Sequence, residues 1–204
     1  MGPRNSIVAV LLAVALASGV FVATRLQQQP VELRAALVLP APTPLPEFTL
    51  LDQFGGEVNR ATFRDQWSLV FFGFTHCPDI CPITLQVLAS ARDSLRAAGQ
   101  QPLPRIVLIS VDPERDTPEL MGKYVNHFGD GNLGVTGNLD ELTRLTSALG
   151  IYFQKQPDDA ENYAVDHTAA VLLVDPEGSF HALFSGPHLA ENFVHDLPII
   201  LEAG

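Results

Sequence analysis

The chain has 204 residues, of which 47% are hydrophobic, so it can form one well-buried domain with an additional segment but is short for two domains. It carries 23 acidic and 12 basic residues, and only three of the basic ones precede Glu47, so the part from Glu47 onward is strongly acidic. This charge argues against nucleic-acid binding, which requires clustered lysine and arginine, and it leaves little attraction to anionic lipid.

The N-terminal segment Ile7–Thr24 contains no charged residue and is bracketed by Arg4 and Arg25. As a helix it would reach roughly 27 Å, at about 1.5 Å per residue, which just spans the hydrocarbon core of a bilayer. We therefore predict that residues 1–26 form an N-terminal transmembrane helix. The alternative is a cleaved signal peptide, because Ala15-Leu16-Ala17 is similar to a cleavage site, although the apolar run continues beyond it. Under either interpretation, the rest of the chain is expected to be exported.

A proline-rich stretch separates this segment from the domain. Pro40–Pro46 contains four prolines in seven residues, which favours an extended polyproline-type spacer. The expected organisation is an anchor at 1–26, a linker at 27–46 and a globular domain at 47–204. Only six residues precede the apolar run, which leaves no room for an arginine-rich mitochondrial presequence. We therefore expect a single-pass protein of the bacterial cytoplasmic (inner) membrane, with its domain on the periplasmic side.

Strands alternate with helices after the linker, which indicates an α/β fold with a sheet of mixed direction. A short hairpin is expected around Asp52–Gly56. A near-continuous apolar run at Ser68–Thr75 predicts a strand that is covered on both faces. The other predicted elements are helices at Cys81–Ala98, Thr117–Phe128, Asn138–Gly150 and Leu189–Leu201, and strands at Arg105–Val111, Thr168–Val174 and Ser179–Phe184.

The two cysteines of the chain lie in the sequence FFGFTHCPDICP, between a predicted strand and a predicted helix. In open α/β sheets, ligands gather where the carboxyl ends of strands meet helix starts. A helix N-terminus also stabilises thiolate over thiol, whereas Asp79, between Cys77 and Cys81, has the opposite effect. Both thiols are therefore expected to be reactive.

The spacing of Cys77 and Cys81 separates several kinds of site. A structural zinc site needs four ligands, which two cysteines do not supply without two histidines in register. A structural disulfide closing so short a loop would constrain the unfolded chain little. A redox pair and a soft-metal pair both need thiolates, and both stay open on the spacing alone.

Histidine is the natural third member of a metal site, and the chain has six. His76 adjoins Cys77, but neighbouring residues at a strand end point to opposite faces, so we expect it to face away. His167 immediately precedes the predicted strand at Thr168–Val174 and arrives near the cysteines if that strand runs beside Ser68–Thr75. Two thiolates and one imidazole suit Cu(I), and they can hold Cu(II) with a further ligand. The other four, which we interpret as surface or satisfied core residues, are His127, His181, His188 and His195.

The motifs GFTHCPDICP, SVDPERDTPE and YAVDHTAAVLLVDPEG, in this order behind an N-terminal apolar segment, resemble the Sco/SenC family of copper chaperones with a thioredoxin-like fold. The resemblance covers roughly Pro46 to the C-terminus. It implies that Cys77, Cys81 and His167 are the ligands of one copper ion, as Cu(I) or Cu(II). It also implies supporting roles for Asp112 and Asp116.

The resemblance also implies partners. Members of the family help to assemble the dinuclear copper centre of cytochrome c oxidase subunit II, by delivering copper or by reducing that subunit's cysteines. The expected partners are therefore this subunit, an upstream periplasmic copper donor and the membrane. The polar stretch Gln154–Tyr163 is interpreted as a mobile loop that carries Asp166 and His167 toward the cysteines.

Two functions of different class follow from the same residues. The first is a metallochaperone that holds copper through Cys77, Cys81 and His167. The second is a membrane-tethered thiol-disulfide oxidoreductase or redox sensor that uses Cys77 and Cys81 as a redox-active pair. A histidine in the site and a CxxxC spacing in place of CxxC favour the metallochaperone.

Overall fold

The computed structural model describes residues 32–156 and 163–203. These residues form ten strands, four α-helices and a short 3₁₀ helix at Arg60–Phe63. The strands are β1 (Ala36–Pro44), β2 (Leu50–Asp52), β3 (Glu57–Val58), β4 (Ser68–Gly73), β5 (Arg105–Ser110), β6 (Leu133–Thr136), β7 (Phe153–Lys155), β8 (Val165–His167), β9 (Val171–Val174) and β10 (Ser179–Phe184). The helices are α1 (Ile80–Ala97), α2 (Pro118–Asn126), α3 (Leu139–Ala148) and α4 (Ala190–Ala203).

The main sheet has eight strands in the order β1-β10-β9-β4-β5-β6-β2-β3. Strand β4 pairs in parallel with β5 and antiparallel with β9, so the sheet is mixed, as predicted. All six residues of β4 are buried, which explains its continuous apolar sequence. Helix α1 packs against α4, and α2 packs against β6. The predicted α/β class with a central mixed sheet and flanking helices is confirmed.

The register of the central strands positions the site. Strand β9 pairs with β4 so that Val171 lies opposite Phe71, close to the carboxyl end of β4. The segment that precedes β9 therefore arrives where the chain leaves β4. The strand predicted at Thr168–Val174 starts later, at Val171, and His167 belongs instead to β8. Strand β8 pairs only with β7, in a separate two-stranded sheet among the described residues.

The structure differs from the predicted linker. Residues Ala36–Pro44 form β1, an edge strand that pairs antiparallel with β10. The register shifts between Val38 and Thr43, so the prolines at 40 and 42, which have no N–H, lie where the ladder is interrupted. A polyproline spacer that continues to Pro46 is therefore wrong for these residues.

The buried side chain of Asp196, in α4, fixes the start of β1. Its carboxylate accepts hydrogen bonds of 2.8, 2.8 and 2.9 Å from the backbone N–H groups of Arg34, Ala35 and Ala36. Burial raises the pKa of Asp196, but these N–H donors and His195 outweigh that effect, so its pKa lies below the usual value for aspartate. The C-terminal helix thus ties the first strand to the domain.

The predicted transmembrane helix at residues 1–26 lies outside the described residues. Within 32–156 and 163–203, no helix combines the length and the hydropathy needed to cross a bilayer.

The substitution Asp196→Asn tests the contribution of this carboxylate. Because the folded-state pKa of Asp196 is lowered, its stabilisation is present above the unfolded-state pKa and is lost as the pH falls below about 4. We expect the variant to lose about 2 kcal/mol of unfolding free energy at pH 7, and less at pH 3. Denaturant unfolding at the two pH values measures the difference. An equal loss at both values would contradict a role for the ionised carboxylate.

Candidate copper site

The two cysteines lie at the carboxyl end of β4, as predicted. Cys77 is in the loop that follows β4, and Cys81 is the second residue of α1. The backbone N–H of Cys81 donates to Sγ of Cys77 at 3.4 Å. An unpaired donor of the first helical turn is thus directed at a sulfur, where it stabilises negative charge.

A glycine at the end of β4 makes room for the second thiol. A Cβ atom built on Gly73 would lie 2.9 Å from Sγ of Cys81, closer than real Cβ contacts allow. Cys81 is fully buried, whereas Cys77 keeps 9% of its surface exposed. The sulfur of Cys81 therefore packs against the backbone of β4, and Cys77 is the less deeply buried of the two cysteines.

His167 completes a group with both cysteines. Its Nε2 lies 3.4 Å from Sγ of Cys81, and the three potential ligand atoms of Cys77, Cys81 and His167 lie within 4.8 Å of one another. The rings of Phe71 and Phe74 contact the imidazole edge-to-face, each at 5.8 Å between centroids. Nδ1 of His167 lies 3.2 Å from the carbonyl oxygen of its neighbour Thr168. Since a carbonyl oxygen can only accept, Nδ1 is the donor in this bond.

The two thiols have very different proton affinities. Hydrogen bonding with Cys81 lowers the pKa of Cys77 to about 4, against the opposing effect of burial, and hydrogen bonds with His167 and with the backbone of Asp79 and Cys81 contribute to the lowering. The same hydrogen bond and deeper burial raise the pKa of Cys81. At neutral pH the metal-free pair therefore contains one thiolate, at Cys77, and one protonated thiol.

Asp116 supports the loop that carries the cysteines. Its fully buried carboxylate accepts hydrogen bonds from the backbone N–H and the hydroxyl of Thr75, at 3.1 and 2.5 Å, and from Oγ of Ser110 at 2.6 Å. Thr75 lies two residues after the end of β4, and Ser110 ends β5. Asp116 thus joins the carboxyl ends of the two central strands beneath the cysteine loop.

Asp112 acts on the other side of the site. It is buried, forms an ion pair with Arg115, and accepts a 2.5 Å hydrogen bond from the hydroxyl of Tyr163. Asp112 therefore contacts the start of the segment that carries His167, and does not contact the sulfurs directly.

Asp166 does not join the group. It is exposed, and its carboxylate accepts a hydrogen bond from the side chain of Gln156. The stretch interpreted as a mobile loop begins with Gln154 and Lys155, which belong to β7, and residues 157–162 lie outside the description. The β7–β8 hairpin was not predicted, although Tyr163 and Val165 are buried and alternate with exposed residues, a strand pattern.

The other histidines have neighbours that account for them. His76 is exposed beside Thr75 and Asp116, and lies outside the group formed by the cysteines and His167. The remaining rings contact an aromatic residue, a carboxylate or a carbonyl, as follows: His127 with Phe128, His181 with Trp67 and Asp175, His188 with the carbonyl of Ala169, and His195 with Asp196. Among the residues that the structure describes, Cys77, Cys81 and His167 are the one cluster of three with metal-ligand spacing.

Comparison with known sequences gives a consistent result. A family model described as SCO1/SenC matches residues 40–202. A protein of Stutzerimonas stutzeri named "Putative copper-binding protein" is 36% identical over 166 residues, which cover 81% of each chain. The human mitochondrial SCO2 homolog is 39% identical over 82% of this chain and 62% of its own length. The chain thus spans less than two thirds of this mitochondrial relative.

Comparison with solved structures gives the same architecture. ScoI of Arabidopsis thaliana, a structure with copper bound, has a TM-score of 0.73 and 31% identity, and the match covers 78% of this chain and 98% of that one.

The acidity of Cys77 can be tested by alkylation of the reduced, metal-free chain. Because a thiol with a pKa of about 4 is already ionised, we expect the rate for Cys77 to change little between about pH 5 and pH 8. Cys81→Ala removes the side-chain hydrogen bond, so the alkylation rate of Cys77 should fall about tenfold for each unit by which the pH is lowered. Cys81→Ser keeps a donor, so in that variant the rate should fall less. Peptide mass spectrometry identifies the modified residue. A steep pH dependence in the wild-type chain would contradict the lowered pKa.

Proposed function

The chain belongs to the SCO1/SenC family, and on this premise we propose that it is a copper metallochaperone in which Cys77, Cys81 and His167 hold one copper ion. The observation that carries this proposal is the approach of the three ligand atoms to within 4.8 Å of one another. Two thiolates and an imidazole are soft and borderline ligands, which match Cu(I) in a three-coordinate site. They suit Cu(II) when a further ligand is added.

The donor set supports copper over structural zinc. A structural zinc site is closed by four protein ligands. The group within the described residues offers three, and His76, the adjacent histidine, lies outside it. A site with three ligands leaves the ion open to attack by the ligands of another protein, which is what transfer of a cargo requires.

The protonation state of the pair suits both binding and release. Copper binding by both sulfurs displaces the proton of Cys81, because the metal binds thiolate. Cys77 is already ionised, so its sulfur offers the first ligand for an incoming ion. Exposed apolar side chains of Ile80 and Ile83 lie at the start of α1 beside the cysteines, where an acceptor protein could pack.

We propose that the acceptor is cytochrome c oxidase subunit II, whose dinuclear copper centre needs copper ions and reduced cysteines. The support is membership of the family and the presence of both a metal-ligand group and a reactive thiol pair. The proposal includes an upstream periplasmic copper donor. It also places the chain in the bacterial cytoplasmic membrane, anchored by the apolar segment Ile7–Thr24, with the domain outside.

A second candidate function is thiol-disulfide exchange, which the low pKa of Cys77 favours. The Cys77 thiolate would attack a disulfide of the substrate, forming a mixed disulfide and releasing one substrate thiolate. The Cys81 sulfur, after losing its proton, would attack Sγ of Cys77 and release the second thiolate. The substrate gains two electrons, and Cys77 and Cys81 are left as a disulfide.

Copper titration of the purified full-length chain tests the ligand set. We expect one copper per chain, with a thiolate-to-Cu(II) absorption band that His167→Ala abolishes or weakens greatly, because the imidazole is lost from the site. His127→Ala removes an exposed histidine outside the group and should leave both the affinity and the band unchanged. Equal affinity in wild type and His167→Ala would remove His167 from the site. Weak copper binding with rapid disulfide reduction would favour the second candidate function.

A further inference from the structure

The hairpin that carries His167 has few backbone connections to the main sheet. Strand β8 pairs with β7, and β7 and β8 form a two-stranded sheet of their own. The flanking backbone bonds, from Gln156 to Ala164 and from Thr168 to Tyr152, also stay within the hairpin. A two-stranded ribbon of three-residue strands is marginal in water without packing against other elements. Its side chains must therefore fix its position over the cysteines.

Tyr163 makes the principal polar contacts between the hairpin and the loop that follows β5. Its side chain is 8% exposed, and its hydroxyl donates to Oδ1 of Asp112 at 2.5 Å. Nη2 of Arg115 donates to the carbonyl oxygen of Tyr163 at 3.0 Å, and Nε of Arg115 donates to Asp112. The guanidinium carbon also lies 3.7 Å from the centroid of the Tyr163 ring. We call Asp112, Arg115 and Tyr163 the hairpin latch.

The hydrogen bonds of the hairpin latch involve charged groups and are largely buried. Asp112 is 4% exposed. The negative charge of its carboxylate is compensated by the guanidinium of Arg115 and by the hydroxyl of Tyr163. Hydrogen bonds to charged groups are stronger than neutral ones. Lys155, on β7, adds a second cation 3.8 Å from the centroid of the Tyr163 ring and pairs with Glu114 of the same loop. The hairpin is therefore connected to the loop after β5 through Lys155 of β7 and through Tyr163, two residues before β8.

The same loop holds the cysteine side of the site. Asp116, one residue after Arg115, accepts the hydrogen bonds of Thr75 and Ser110. The segment 112–116 thus contacts the cysteine loop through Asp116 and the histidine hairpin through Asp112 and Arg115. Displacing the latch would move His167 while the contacts beneath Cys77 stay in place.

We propose that Tyr163 and Arg115 are positioning residues for copper binding: with Asp112 they hold the β7–β8 hairpin so that His167 meets the two sulfurs. Resting on the function proposed above, the inference adds that release of the latch converts a site of two sulfurs and one imidazole into a site of two sulfurs alone. The latch therefore sets how fast copper leaves.

The substitution Tyr163→Phe tests the latch, because it keeps the ring and its cation contacts but removes the hydrogen bond to Asp112 and the longer one, of 3.4 Å, to Glu114. In the metal-free chain we expect the NMR signals of the His167 ring, which lies against Phe71 and Phe74, to shift toward those of an exposed histidine. In the Cu(I)-loaded chain we expect release to a Cu(I) chelator to become about tenfold faster, as the loss of one charge-assisted hydrogen bond implies.

Tyr152→Phe is the matched control. Tyr152 belongs to the same hairpin but is 55% exposed, and its hydroxyl bonds to the exposed Gln154, so neither the His167 signals nor the release rate should change. Arg115→Lys keeps the charge but loses the two-sided guanidinium contact, and should act in the same direction as Tyr163→Phe. Thermal unfolding verifies that each variant is folded.

The outcomes distinguish a failure of the latch hypothesis from a failure of the assignment of His167 as a ligand. Unchanged His167 signals and unchanged release in folded Tyr163→Phe and Arg115→Lys would overturn the latch, even if His167→Ala accelerates release. If His167→Ala leaves release unchanged, the assignment of His167 as a copper ligand fails. The NMR signals of the metal-free chain then still decide whether the latch positions the imidazole.

Discussion

The site depends on the two different directions of pairing around β4. Strand β5 runs parallel to β4, so the loops that leave both strands emerge at the same edge of the sheet. Strand β9 runs antiparallel to β4, so the segment entering β9 arrives at that edge. This edge therefore brings together groups that are far apart in the sequence: the sulfurs after β4, the carboxylates after β5 and the imidazole before β9. With β9 parallel to β4, His167 would enter at the opposite edge.

Burial gives each polar group at this edge a defined partner. The carboxylates of Asp112 and Asp116 are shielded from water, where an unpaired charge is costly, and each is compensated by donors from other segments. The sulfurs share one proton, held by Cys81.

The sequence predicted the parts of the site that follow local rules. An apolar run, a helix start and two cysteines placed Cys77 and Cys81, and the pairing of two buried strands placed His167. Tyr163 and Arg115 were missed because their contacts are between side chains distant in sequence, which leave no periodic pattern. The short strands of the β7–β8 hairpin were too brief to predict. Strand β1 was read as a spacer because proline is rare within sheets, and edge strands with an interrupted ladder are the exception.

Strand β1 also has a consequence for association between chains. An edge strand normally exposes a row of backbone donors and acceptors on which another strand can assemble. Three of the nine residues of β1 are prolines, which offer no N–H to a neighbour. Strand β1 is therefore a poor template for the addition of further strands. This sequence therefore protects against aggregation along that edge.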